Sequence, residues 1–280
     1  MGSPLLGAAA TGVLAFGVMG GFLAGCENRP VRGPAAKSPE AQSDAEYDLA
    51  RDDFYKGNPR SALDHGLRAI ELNDSNAKAL YFTSSIYLYF CSLEEGLASR
   101  DCRIAEAERL ARRAVKEDER FRDARNLLGA VLLLQGRCKD AIPVLAALAK
   151  DPAYAETHLA WGNLGWAQLQ CGQVDESIAS LRNSVTEPRF CVGHSRLGAA
   201  YEKKGDLAQA ESSLTAALSV DNPECQRMQV AWDLRGRVRK KLGKESDASS
   251  DFEKCRELAA ETPTGRGCAR QLGAKAPPSN

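Results

Sequence analysis

Nine cysteines are the residues of this chain whose type and spacing could do the most chemistry. Cys26 stands apart at the end of an apolar leader. The other eight are Cys91, Cys102, Cys138, Cys171, Cys191, Cys225, Cys255 and Cys268, an even set in which no pair has the C-x-x-C spacing of a zinc or dithiol site. A reducing compartment would leave eight thiols idle, whereas an oxidising one pairs them. Histidine offers less. His65, His158 and His194 are scattered, and there is no H-E-x-x-H zinc helix, no G-x-S-x-G nucleophile turn and no phosphate-binding G-x-x-x-x-G-K loop. Neither catalysis nor a metal, cofactor or small-molecule substrate is expected.

Residues 1–25 carry no charged side chain and end in Leu23, Ala24, Gly25 and Cys26. This run resembles the bacterial lipobox, in which the cysteine thiol takes a diacylglycerol and a peptidase then cuts just before it. Small residues at Ala24 and Gly25 let the extended chain enter the peptidase, and the thiol is the nucleophile that accepts the lipid. The resemblance implies a lipoprotein signal peptide over 1–25 and a lipidated, palmitate-bearing Cys26. No Lys or Arg lies near the N-terminus, a departure that a start codon set slightly too late would explain. The alternative is an uncleaved membrane helix, since about 20 apolar residues span a bilayer. The many glycines and the lack of flanking charge argue against it. Glu27 stands where an Asp would resemble an inner-membrane retention signal, so the expected location is the outer membrane, lipid-anchored and facing the periplasm. Residues 26–41, rich in Pro, Ala and charge, read as the lipidated N-terminus and a flexible tether.

The elements that position the other cysteines come from the bulk of the chain. Lys+Arg and Asp+Glu both total 37, so no basic excess points to nucleic acid. An apolar fraction of 44% is enough for a sizeable core, as one long domain or two short ones. Aromatics are 6% while Ala, Leu, Arg and Glu abound, which favours helix over sheet. One spacing then recurs: a small residue, Gly seven later, Ala or Ser five after that. It occurs as Ala50/Gly57/Ala62, Gly129/Gly136/Ala141, Gly165/Gly172/Ser177, Gly198/Gly205/Ala210 and Gly236/Gly243/Ala248. An irregular copy has Ser84 at the small position and Ala107, Ala111 and Ala114 along its second helix.

Each mark has a steric cause. The small residue belongs where two antiparallel helices cross closely. The Gly supplies a left-handed cap to the first helix. The Ala opens the helix that packs back, and Leu145, Leu181, Leu214 and Phe252 follow one turn along that face. Pro152, Pro188 and Pro223 are placed to close hairpins. The pattern resembles the tetratricopeptide repeat of about 34 residues. That resemblance covers 42–262 and implies an all-α fold: a right-handed superhelix of six helical hairpins, with 263–280 left as a loose tail.

Register then suggests cysteine partners. Cys91 and Cys102 bracket the long turn of the second hairpin. Cys138 and Cys171 lie near the turns of neighbouring hairpins, Cys191 and Cys225 precede first helices of consecutive hairpins, and Cys255 could catch Cys268. These are four of many possible pairs, eight cysteines allowing about 105 connectivities. The alternative is that several are buried free thiols, Cys255 first among them.

In such a stack the first helices line the hollow side, at positions three before, one after and four after the close-packing residue. This gives Tyr47, Arg51 and Phe54; Tyr81, Ser85 and Leu88; Asn126, Ala130 and Leu133; Gly162, Trp166 and Leu169; Ser195, Ala199 and Glu202; and Asp233, Arg237 and Lys240. The first four hairpins thus offer an aromatic and aliphatic groove, with Tyr47, Phe54, Tyr81, Leu88, Asn126, Leu133, Trp166 and Leu169 as the expected partner-binding set, and the last two offer charge. Such a groove suits an extended or helical segment of a protein. The alternative is that single rings merely pack on the facing helix.

Residues 161–172, W-G-N-L-G-W-A-Q-L-Q-C-G, are similar to a fourth-hairpin signature of the type IV pilus secretin pilotins, the Tgl/PilF type. Asn163, Gly165, Trp166, Cys171 and Gly172 match; Leu164 replaces a Tyr. The resemblance implies an assembly factor that binds secretin monomers and promotes their insertion and multimerisation in the outer membrane. The rival reading is a different periplasmic adaptor lipoprotein, serving cell-wall enzymes or outer-membrane protein assembly.

Overall fold

Four glycines set how closely the helices of this chain approach. In the computed structural model, which describes residues 38–92 and 101–273, a methyl group on Gly129 would lie 2.4 Å from Leu145 Cδ2. On Gly165 it would lie 2.5 Å from Leu181 Cγ, on Gly198 2.5 Å from Leu214 Cγ and on Gly236 2.7 Å from Phe252 Cε1. Each large side chain is fully buried in the space the missing Cβ leaves. At the two other crossings a buried Ala50 and a buried Ser84 serve, and Ser84 Oγ donates to the Ala107 carbonyl at 2.7 Å.

The chain around these crossings is all-α. The described residues form α1 (Pro39–Tyr55), α2 (Pro59–Leu72), α3 (Ala77–Ser92), α4 (Ile104–Glu117), α5 (Arg122–Leu134), α6 (Cys138–Ala149) and α7 (Thr157–Gln170). There follow α8 (Val174–Ser184), α9 (Cys191–Lys204), α10 (Leu207–Ser219), α11 (Pro223–Gln226), α12 (Gln229–Lys241), α13 (Glu245–Leu258) and α14 (Pro263–Gln271). Six hairpins result: α1/α2, α3/α4, α5/α6, α7/α8, α9/α10 and α12/α13. Each second helix packs on the first helix of the next hairpin, and consecutive first helices also meet one another. That second set of contacts puts the first helices on the inner side of the stack's curve. Among the described residues no helix is long and apolar enough to cross a membrane.

The turns of the five hairpins other than α3/α4 share one geometry. Gly172 adopts φ +80°, donates to the Leu169 carbonyl, and lets Gln173 N–H reach back to the Gln168 carbonyl at 2.8 Å. A side chain would strain that left-handed backbone, and the paired bonds satisfy carbonyls the helix end leaves open. The same backward bond recurs as Asn58 to Asp53, Arg137 to Leu132, Asp206 to Tyr201 and Lys244 to Arg239.

The last hairpin differs. Where three earlier hairpins place Leu128, Leu164 and Leu197 before the crossing glycine, here stands Arg235. It is buried and makes two bonds to the buried Asp251 carboxylate, at 2.7 and 3.0 Å. Arg239 joins Asp251 to Glu211, and Lys244 also holds Glu211. The Lys244 ammonium beside it, with Arg239, keeps the Glu211 carboxyl below its ordinary range. Each buried charge is thus compensated, which burial requires.

Four disulfides cross-link the stack: Cys91–Cys102, Cys138–Cys171, Cys191–Cys225 and Cys255–Cys268. Cys138–Cys171 ties the start of α6 to the end of α7, and Cys191–Cys225 ties the start of α9 to α11. Two boundaries need correction. The stretch from 263, expected as a loose tail, holds α14, capped by Thr262 Oγ1 on Gly265 N–H and opened by Pro263. Cys268 is fully buried there and bonded to Cys255. Residues 38–41, expected as the end of a tether, instead open α1: Ser38 caps it through Ala41 N–H and Pro39 starts the helix. Pro223 opens α11 as well as closing a hairpin. Cys26, the leader and residues 274–280 lie outside the described residues.

Two outcomes test this packing. Gly165→Ala brings its Cβ within 2.5 Å of Leu181 Cγ and 3.1 Å of the Ser177 carbonyl, so overpacking should lower stability by about 1–3 kcal/mol. Gly267→Ala, whose nearest neighbour would be 3.8 Å away, should gain up to about 1 kcal/mol of helix propensity. Urea midpoints of the two variants should move in opposite directions. Replacing both Cys138 and Cys171 by Ala should cost about 2–4 kcal/mol through the freed unfolded chain, read as a urea midpoint equal to that of the wild type only after the wild type's same bridge is reduced.

Candidate functional site: a concave groove centred on Trp166

The inner strip of each first helix carries the residues two before and one, four and five after the crossing position. Three adjoining hollows run along it. The first, about 520 Å³, is lined on α3 by Ser85, Leu88 and Tyr89, on α5 by Ala130, Leu133 and Leu134, and beyond by Asn163, Trp166, Gln170 and Arg196. The second, about 270 Å³, lies between Trp166, Arg196 and an apolar wall of Val192, Ala199, Met228, Val230 and Leu234. The third, about 520 Å³, joins Trp166, Leu169 and Gln170 to Glu202, Lys203 and Lys241. Trp166 borders all three.

A polar ladder crosses the groove at the same level. Asn163 Nδ2 donates to Asn126 Oδ1 at 2.9 Å, and Arg196 Nη1 donates to Asn163 Oδ1 at 2.8 Å. The Arg196 guanidinium lies over the Trp166 ring, 5.7 Å from its centre. The ladder fixes three first helices, α5, α7 and α9, in register beneath the groove floor.

The structure divides the residues expected to bind a partner. Leu88, Leu133, Trp166 and Leu169 line the hollows. Tyr47, Phe54, Tyr81 and Asn126 do not line these three, and the reason is the same for each. Their side chains reach the next hairpin. Tyr47 meets Phe82 edge-on at 6.0 Å, Phe54 lies between Phe82 and Tyr89, and Tyr81 meets Phe121 at a tilt with ring centres 4.8 Å apart. Burial raises the Tyr81 hydroxyl's pKa. Gly162 also leaves the groove: a Cβ there would lie 2.8 Å from Phe190 Cε1.

The expected split between an apolar first part and a charged last part is corrected as well. Val192, Met228, Val230 and Leu234 continue the apolar lining into the last two hairpins. The charges there are largely spent on one another, Arg237 on Asp233 and Glu202, Lys241 on Glu202. Desolvation raises the Asp233 carboxyl even against Arg237. Sequence spacing missed Tyr89, Asn163, Gln170, Arg196, Val192 and Val230. A frame centred one residue after the crossing and extended to two before and five after would have found the first four. Val230 and Met228 are set by α11, for which the repeat has no place. Among the described residues no cluster of three or more His, Cys, Asp or Glu could hold a metal ion.

Comparison with known proteins agrees with this architecture. Tetratricopeptide-repeat family models match residues 98–156, 135–187 and 194–223. No curated protein matches the sequence significantly. Among solved structures, PilW, titled a widely conserved type IV pilus biogenesis factor, is similar with a TM-score of 0.65 and 19% identity, over 80% of this chain and 97% of its own. PilF of Pseudomonas aeruginosa is similar with a TM-score of 0.62 and 18% identity, over 84% of this chain and 100% of its own. Human IFIT1, solved as a dimer with PPP-AAAA, gives 0.64 and 14%, over 85% of this chain and 55% of its own. At these identities the likeness is one of fold, a scaffold that is typically non-catalytic. The chain is a superhelix of tetratricopeptide repeats.

Proposed function

We propose that this chain is a lipid-anchored outer-membrane adaptor that holds an apolar segment of a protein partner against Trp166, and that the partner is the type IV pilus secretin. The groove carries the reading. Three joined hollows with Leu, Val, Met and Trp walls give an extended or helical segment a largely apolar bed, and a large half-buried aromatic at the centre is where binding energy concentrates.

Several observations support the pilotin role. The 161–172 run that resembles the pilotin signature supplies Asn163, Trp166, Leu169 and Gln170 to the groove, with Trp166 at the junction of the hollows. PilW, titled a type IV pilus biogenesis factor, and PilF match this architecture over nearly their whole lengths. Four disulfides suit an oxidising periplasm. The lipobox-like run ending at Cys26 supplies an anchor, and the two or more acyl chains of a mature lipoprotein hold it stably. In this mechanism the anchor keeps the chain at the membrane while the groove covers an apolar strand of the unassembled secretin, which would otherwise pair with its like and aggregate.

Trp166→Glu tests the reading in cells. Losing a central aromatic anchor costs at least about 2 kcal/mol, so heat-resistant secretin multimers should fall well over tenfold while the level and helix content of the variant stay those of the wild type. Unchanged multimers would remove the secretin from the groove. A pull-down from detergent-solubilised membranes that recovers cell-wall enzymes or outer-membrane assembly factors would favour the general adaptor instead.

A further inference from the structure

The lining of the first two hollows holds a single charged side chain, and its charge is unspent. Arg196 borders both the first and the second hollow. Its guanidinium uses Nη1 on Asn163 and one face on Trp166. Among the described residues it has no ion pair, and its Nε and Nη2 make no hydrogen bond. The arginines of the neighbouring hairpin are in a different condition: Arg235 and Arg239 are held by Asp251, and Arg237 by Asp233 and Glu202. Burial lowers the Arg196 pKa to about 10, which still leaves it cationic at neutral pH. A partly desolvated cation with free donors and no counter-charge is stabilised most by a carboxylate that arrives with a ligand.

We infer that the segment held in the groove carries an internal Asp or Glu whose carboxylate seats on Arg196, with apolar side chains on both sides of it. This rests on the groove being a peptide site and adds what the peptide must contain. The open Nε and Nη2 donors suit both oxygens of one carboxylate, a fit that a lysine in the same place lacks. Trp166 and Asn163 hold the guanidinium plane before the ligand comes, so little side-chain freedom is lost on binding. The position argues for an internal residue over a chain terminus. Leu88, Leu133 and Leu134 form an apolar bed on one side of Arg196, and Val192, Met228, Val230 and Leu234 form another on the other side. A terminal carboxylate would leave one of the two beds empty.

The test uses the full chain with its disulfides intact and short fluorescein-labelled synthetic peptides, read by anisotropy. One peptide places a single Glu between two runs of Leu and Phe, a second has Gln in its place, and a third ends at that position so that its only carboxylate is the terminal one. The Glu peptide should bind at least about tenfold more tightly than the Gln peptide, the range of a charge-assisted bond. Arg196→Gln should abolish that preference, so that the Glu and Gln peptides bind the variant equally, and Arg196→Lys should keep part of it. Equal binding of the Glu and Gln peptides, or a preference that survives Arg196→Gln, overturns the anchor while the apolar groove stands. Tightest binding of the third peptide overturns the internal position. If none of the peptides binds, the groove reading falls together with the anchor.

Discussion

Close approach of two helices at one small residue per hairpin is the constraint on which the rest of this structure depends. A Cβ at Gly129, Gly165, Gly198 or Gly236 would overlap the large side chain that closes the core of the same hairpin. Interiors are packed too densely to absorb such an overlap by small adjustments. Because the crossing is fixed, the left-handed glycine seven residues on is fixed, and so is the phase of the second helix. Successive hairpins then repeat one geometry, and cysteines in successive hairpins come within bonding distance: Cys138 and Cys171 have Cα atoms 5.8 Å apart, 33 residues apart in sequence. The inner strip of first helices inherits the same order, which is why side chains from five helices can share one groove.

What was legible in the sequence follows from how local its cause is. The crossing residue, the capping glycine and the buried Leu or Phe are determined within one hairpin, so their spacing survives in the sequence whatever the neighbours do. The groove is determined between hairpins. Tyr81 and Gly162 occupy equivalent positions, and both are claimed by the following hairpin, by Phe121 and by Phe190. No spacing within a repeat reveals that claim. Met228 and Val230 enter the groove because α11 interrupts the step from the fifth hairpin to the sixth. The terminal helix is a different matter. Thr262 followed by Pro263 is a readable start signal, a capping side chain with proline at the first helical position, and the two prolines at 277 and 278 with the alanines and glycines around them masked it.

The disulfides and the ion cluster of the last hairpin do related work on different parts of the stack. A tandem array is held chiefly by contacts between neighbours, so its ends and insertions are the first places to open. Cys191–Cys225 secures the α11 insertion, Cys255–Cys268 secures α14, and Cys91–Cys102 closes the long turn of the second hairpin. Arg235, Asp251, Arg239 and Glu211 join α10, α12 and α13 where the leucine of the earlier hairpins is missing. A groove built on such a frame keeps its shape without a ligand, which reduces the ordering cost of binding.

The fold by itself chooses no ligand. IFIT1 is solved with PPP-AAAA on a fold as similar to this one, by TM-score, as those of PilW and PilF are. The decision therefore rests on the lining. Binding a phosphate backbone draws its energy from several cations released from their counterions together. Here the groove's Lys241 is already paired with Glu202, and most of the remaining wall is Leu, Val, Met, Ala and Trp. A surface of that kind gains little from a string of phosphates, which it would have to desolvate, and much from aliphatic and aromatic side chains. Arg196 and Lys203, at separate points of that wall, do not make the row of cations a phosphate backbone requires.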